Sequence, residues 1–397
     1  MLNERQLFFQ HLAQTSDLPL ALEIEKAKGI YLYSKSGKKY FDLISGISVS
    51  NLGHCHPRII SAVKKQIEKY SHLMVYGEFV QSPQVKLAQK LSLLLPKNLN
   101  ASYFTNSGAE ATEGALKLAK RFTGRTEIIS CKNAYHGSTH GALSVMGNEI
   151  LKNKFRPLLP DVRFIEFNNE KQLSQISEKT SCIIIEAVQG EAGVIIPEKN
   201  YLKQLRKQCD RTGTLLIFDE AQTAFGRTGT MFAFEQFGVV PDILLFAKAF
   251  GGGMPLGAFI SSKKIMDSLK NNPALGHITT FGGHPVCCAA ALAAIDVLLE
   301  QKLILHVKQK EKLFRKLLKH PAIKEIRSIG LMIAIEFASA EVNHKIIRKC
   351  LENGVIADWF LFCDNSMRIA PPLIISEKEI QTACEIILKS MDAVIKV

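Results

Sequence analysis

Two short apolar runs in this chain end on groups that can do chemistry. Leu215-Leu216-Ile217-Phe218 runs into the carboxylates Asp219 and Glu220, and Ile243-Leu244-Leu245-Phe246-Ala247 runs into Lys248, followed by Gly251, Gly252 and Gly253. Apolar runs bounded by polar and glycine-rich turns read as buried parallel strands. Open α/β sheets bind ligands beyond the carboxyl ends of such strands. An acid and an amine would then face one crevice, with Lys248 as a nucleophilic amine and Asp219 as the partner of a cofactor.

Further parts lie upstream. Asn106-Ser107-Gly108-Ala109-Glu110-Ala111 separates a short strand at 103–105 from a helix at 113–121. Backbone N–H groups and a hydroxyl at a helix N-terminus suit an anion, and they equally suit ordinary capping. The strand 128–131 delivers Tyr135-His136-Gly137-Ser138-Thr139, an aromatic residue on a Gly-containing loop. Together these are the parts that pyridoxal phosphate needs. Its aldehyde condenses with an amine, a carboxylate keeps its ring nitrogen protonated, its phosphate takes N–H donors, and its ring takes a stacking partner. A nucleotide-hydrolysing alternative treats Leu215 to Glu220 as a metal-binding strand, but that requires a GxxxxGK[ST] loop. The Gly37-Lys38 pair lacks both the upstream Gly and the following Ser or Thr. A non-enzymatic binding module leaves Lys248 without a role. No H-E-x-x-H cluster points to a metal, and His54 and His56 have no third ligand nearby.

The elements that must position these groups are legible in outline. With 397 residues, 47% hydrophobic and 22% charged, the chain can bury a large core and suits one large domain with a smaller one. The net charge of +13 is spread over amphipathic stretches such as 302–324. That pattern fits a solvated surface that mildly attracts anions, not nucleic acid. Nine cysteines without a CxxC spacing read as buried thiols in a reducing compartment. No segment has the layout of a signal peptide or the length of a membrane span, so the expectation is a cytoplasmic protein with no membrane partner. Strands alternating with helices over 100–265 predict a mostly parallel α/β sheet. A hairpin at 29–43 and an α+β tail predict a smaller domain built from both ends of the chain. The expected boundaries are 1–50, 51–290 and 291–397.

The set and order of these segments, from about residue 18 to the end, resemble the class III, fold type I, pyridoxal-phosphate aminotransferases of the acetylornithine/ornithine group. The resemblance implies that Lys248 is the Schiff-base lysine and that Asp219 pairs with the pyridine nitrogen. It implies that Gln222 bonds the phenolic oxygen, that Ser107, Gly108 and Ala109 form the phosphate turn, and that Tyr135 stacks on the ring with His136 beside it. Thr280 would reach the phosphate of a neighbouring subunit, which implies a homodimer with shared sites. Arg368 would hold the carboxylate of a keto or amino acid, with Glu191 pairing to mask it. The implied reaction is ping-pong, from an amine donor to 2-oxoglutarate or pyruvate; aminomutases of the same class are the alternative. In the donor pocket this chain departs from the pattern. Ser138 stands where ornithine and acetylornithine enzymes carry an arginine, and Thr15 and Ile47 stand where the ornithine enzymes have tyrosines. Ala187 replaces a usual Pro. Ornithine is therefore expected to be a poor donor, and the loop is closer to relatives acting on diaminopelargonate or ω-amino acids. Glu186 and Glu220 are expected as structural ion-pair residues, and Arg227 as structural.

Overall fold

Side chains that alternate between two cores build the central sheet. In the computed structural model, which describes residues 2–75 and 77–395, strand Leu215–Asp219 sends Leu216 and Phe218 into one hydrophobic cluster and Leu215 and Ile217 into the other. Thr180–Glu186 and Ile243–Phe246 divide in the same way, with Ile183, Ile185, Leu244 and Phe246 on one side and Cys182, Ile184, Ile243 and Leu245 on the other. Burial on both faces is why these strands read as continuous apolar runs. Each such Leu, Ile or Phe side chain contributes about 1.5–3 kcal/mol.

The sheet has seven strands in the order Ala101–Thr105, Gly257–Ser261, Ile243–Phe246, Leu215–Asp219, Thr180–Glu186, Glu127–Cys131 and Val162–Ile165. Gly257–Ser261 runs antiparallel to both of its neighbours, and the remaining pairings are parallel. Helix Gly108–Thr123 covers one face through Ala111, Ala115, Leu118 and Ala119, and Tyr201–Thr212 and Pro285–Glu300 cover the other. A Cβ on Gly114 would come within 2.2 Å of the Phe259 ring, so the close approach of the first helix to Gly257–Ser261 requires glycine there.

Two smaller sheets flank this one. Ile24–Lys28, Tyr31–Ser34 and Lys39–Asp42 form an antiparallel set, to which Val355–Ile356 adds in parallel from the far end of the chain. Glu325–Ile329, Met332–Glu336, Cys363–Ile369 and Asp358–Phe360 form an antiparallel sheet. The amphipathic stretch that begins at residue 302 does not form one continuous helix. Lys302 adopts φ 51°, a short 3-10 turn covers Leu303–His306, and the α-helix runs only from Val307 to Leu317. Among the described residues no helix is long and apolar enough to cross a membrane.

Candidate active site

The parallel strands place their terminal charges side by side. Glu186 and Asp219 are register partners at the ends of adjacent strands, and Lys248 opens a short 3-10 turn just after the next strand, Ile243–Phe246. Lys248 has φ 52°, in the left-handed region that a residue with a side chain occupies only when its surroundings impose it. A cavity of about 290 Å³ lies over these strand ends, near the lower end of the range for small-molecule sites. Gly108, Ala109, Tyr135, His136, Ser138, Glu191, Asp219, Gln222 and Lys248 all contribute to its wall. Glu186 contributes too, and the expectation of a structural ion pair did not anticipate this.

Burial pushes the Lys248 amine below its ordinary range, against the opposing pull of the Glu191 and Asp219 carboxylates. One Asp219 oxygen bonds His136 Nδ1 at 2.8 Å and the other accepts the Ala221 N–H at 2.9 Å. His136 is buried, and its Nε2 has no partner among the described residues. The helix Gly108–Thr123 begins at the cavity. Ser107 Oγ accepts the Glu110 N–H at 3.2 Å, so the hydroxyl caps the helix. Gly108 and Ala109, the first two helical residues, present N–H groups that no intrahelical bond uses.

A second charged pair closes one side. Arg368 Nη2 donates to Glu191 Oε2 at 2.6 Å and to the Trp359 carbonyl at 3.0 Å, and the guanidinium lies 4.6 Å from the Phe360 ring centre. Burial raises the Glu191 carboxyl, but Arg368 and the Leu361 N–H together hold it below its ordinary value. Gln222 Nε2 donates to the other Glu191 oxygen at 3.3 Å. Arg368 Nε and Nη1 are buried and lack partners among the described residues, so donors remain for a second carboxylate.

The remaining sequence candidates take varied positions. Ser107, Arg368, Thr280 and Ile47 are not among the residues that line the cavity. Thr280 is exposed, and Ile47 is half-buried at φ 63° in the turn Ser45–Ser48. Ser138 is exposed and shares a 3.2 Å hydrogen bond with the Tyr135 hydroxyl. Among the described residues, neither Glu186 nor Glu220 forms an ion pair. Glu186 accepts the Tyr135 and Gly190 N–H groups at 3.2 and 3.0 Å, and Glu220 accepts those of Ala233 and Phe234, both at 2.7 Å. The fully buried Arg227 donates to the carbonyls of Leu331 and Pro371 at 2.8 and 2.6 Å and also bonds Ser45 and Asn51. It thereby joins three parts of the chain.

The model of the family "Aminotransferase class-III" matches residues 12–391. The chain belongs to the class III aminotransferase family. It is similar to the acetylornithine aminotransferase of Methanocaldococcus jannaschii, at 41% identity over 93% of each chain. It is similar also to that of Archaeoglobus fulgidus, at 38% identity over 96% of this chain and 98% of the other. In three dimensions it resembles the ornithine aminotransferase of Toxoplasma gondii, with a TM-score of 0.92 at 32% identity over 99% of this chain and 96% of that one. An omega transaminase of Pseudomonas jessenii in complex with PMP gives the same TM-score at 26% identity, over 99% of this chain and 98% of the other. The protein is thus a transaminase, and pyridoxal phosphate is the cofactor of its class. Neither the nucleotide-hydrolysing nor the non-enzymatic reading stands, and the relatives' names favour amino-group transfer over isomerisation.

The residues present fit that cofactor. One cavity offers a primary amine, a carboxylate braced by a buried imidazole, and a half-buried tyrosine ring. It also offers the open N–H groups of a helix start.

Proposed function

We propose that Lys248 anchors pyridoxal phosphate and shuttles the proton in a transfer of the amino group from a terminal amine to a keto acid. The observation that carries this reading is the convergence of Lys248, Asp219 and the Gly108–Ala109 helix start on one cavity. When bound, pyridoxal phosphate supplies an aldehyde for Schiff-base formation and a protonated ring that accepts electron density. Asp219 would hold the ring nitrogen, with His136 orienting the carboxylate. Gly108 and Ala109, capped through Ser107, would take the phosphate, Gln222 the phenolic oxygen and Tyr135 the ring face. The lowered basicity of Lys248 leaves more of its Nζ neutral near pH 7, which suits a nucleophile and a general base. The same Nζ then returns the proton as the acid.

Arg368 serves the acceptor by holding the carboxylate of 2-oxoglutarate or pyruvate. Glu191 masks this charge while a donor without a carboxylate at that place occupies the site. Lys248 is the one lysine or arginine among the residues lining the cavity, and Ser138 offers no charge to a distal carboxylate. The favoured donor is therefore an amine whose far end needs no such grip, and ornithine is a poor one. Acetylornithine is the second reading, favoured by the names of the curated relatives.

The same reading makes the enzyme a cytoplasmic homodimer in which Thr280 reaches the neighbouring subunit's phosphate. Support comes from the exposure of Thr280 outside its own cavity and from the exposed apolar side chains Phe79, Val80 and Phe281. It divides the chain near residues 50 and 290, which agrees with the pairing of Phe41 with Val355 across the two ends. The test is steady-state kinetics of Arg368→Ala with a donor panel of acetylornithine, ornithine, a diamine and an ω-amino acid. The KM for 2-oxoglutarate should rise roughly 10- to 100-fold, as loss of a charged hydrogen-bonding partner implies, with little change in KM for the diamine. Equal losses on both sides would remove Arg368 from this role.

A further inference from the structure

We infer that Glu186 is a positioning residue that clamps the loop carrying Glu191 to the loop carrying Tyr135, and so sets how strongly Glu191 masks Arg368. The inference rests on the acceptor role proposed for Arg368. Glu186 ends its strand with 6% of its surface exposed, and its two oxygens face different loops. Oε2 accepts the Tyr135 N–H at 3.2 Å, and Oε1 accepts the Gly190 N–H at 3.0 Å. Gly190 directly precedes Glu191, whose Oε2 meets Arg368 at 2.6 Å. Gly190 has little room to move toward its neighbours, because a Cβ there would lie 2.6 Å from Gln222 Oε1 and 3.1 Å from Met332 Cε. On the other side, His136, next to Tyr135, is fixed to Asp219 at 2.8 Å and by its carbonyl to the Thr112 hydroxyl at 3.0 Å. One carboxylate thus ties the masking loop to a loop that is itself anchored. The two N–H donors meet separate oxygens of this carboxylate, and a carboxamide would set an NH2 donor against one of them.

Burial, with the neighbouring Asp219 charge, pushes the Glu186 carboxyl up to about 7, against the opposing influence of His136 and the two N–H groups. An apolar-looking strand end thus carries a costly group.

The test is calorimetric binding of 2-oxoglutarate to the pyridoxal-phosphate-loaded protein for the wild type, Glu186→Gln, Glu191→Gln and the double variant. Glu186→Gln keeps the size of the side chain but has one acceptor oxygen for two N–H groups. It should loosen the masking loop and tighten 2-oxoglutarate binding about 3- to 10-fold. Glu191→Gln should tighten binding at least as much, and the double variant should gain nothing beyond Glu191→Gln, since both act through one contact. A gain for Glu191→Gln with none for Glu186→Gln, or a fully additive double variant, overturns the clamp alone. No change in Glu191→Gln overturns the masking role and the clamp with it. If Glu186→Gln does not fold, Glu186→Asp, which keeps both acceptors on a shorter arm, carries the same comparison.

Discussion

On the proposed reading, donor choice turns on Ser138. Its hydroxyl partners Tyr135 at 3.2 Å, and apart from Lys248 the residues lining the cavity include no lysine or arginine. A guanidinium there would add a bidentate grip on a distal carboxylate, which a hydroxyl cannot provide. Ser138→Arg should therefore raise kcat/KM for ornithine-like donors relative to a simple diamine by about 10-fold or more, the scale of one charged hydrogen bond. An unchanged ratio would move donor choice to the rest of the pocket. Lys248 and Asp219 were legible in the sequence because each ends an apolar run, so the strands alone bring them together. The work of Glu186 was not legible. Its partners are backbone N–H groups of two loops, and no residue type in the sequence marks where a loop amide will point.

At the scale of elements, the parallel strands were readable because burial on both faces removes polar residues from them. Glu325–Ile329 and Asp358–Phe360 were missed, one for its mixed, half-buried composition and the other for its length of three residues. The turn after Leu215–Asp219 carries its own signature. Glu220 is fully buried and braces the start of Ala233–Gln236 through two backbone N–H groups, and burial pushes its carboxyl up to about 8. A carboxyl raised on folding contributes stability that is full below its unfolded value and is lost as pH rises through the folded one. For Glu220 the loss falls between the ordinary carboxylate range and about pH 8. Glu220→Gln should thus flatten the decline in urea-unfolding midpoint between pH 6 and pH 8.5. A variant whose decline matches the wild type would assign that pH dependence to other groups.

At the scale of the whole molecule, both ends of the chain meet around the central sheet. Val355–Ile356 extends the N-terminal sheet, and Arg227 bonds Ser45, Leu331 and Pro371 from the centre. The parallel strands carry Glu186, Asp219 and Lys248 to one edge of the sheet. On the proposed assembly, light scattering should give twice the 44.1 kDa chain mass. Thr280→Ala should lower pyridoxal phosphate affinity several-fold while leaving that mass unchanged. A monomer with full activity would contradict the shared site.

Lys248 Nζ is proposed as the group to which the cofactor attaches. Borohydride reduction of protein loaded with pyridoxal phosphate, followed by peptide mass mapping, tests it most directly. One reduced pyridoxyl adduct per chain is expected, on Lys248, with no comparable stoichiometric adduct in Lys248→Ala. An adduct on a different lysine, or equal labelling of the variant, would contradict it.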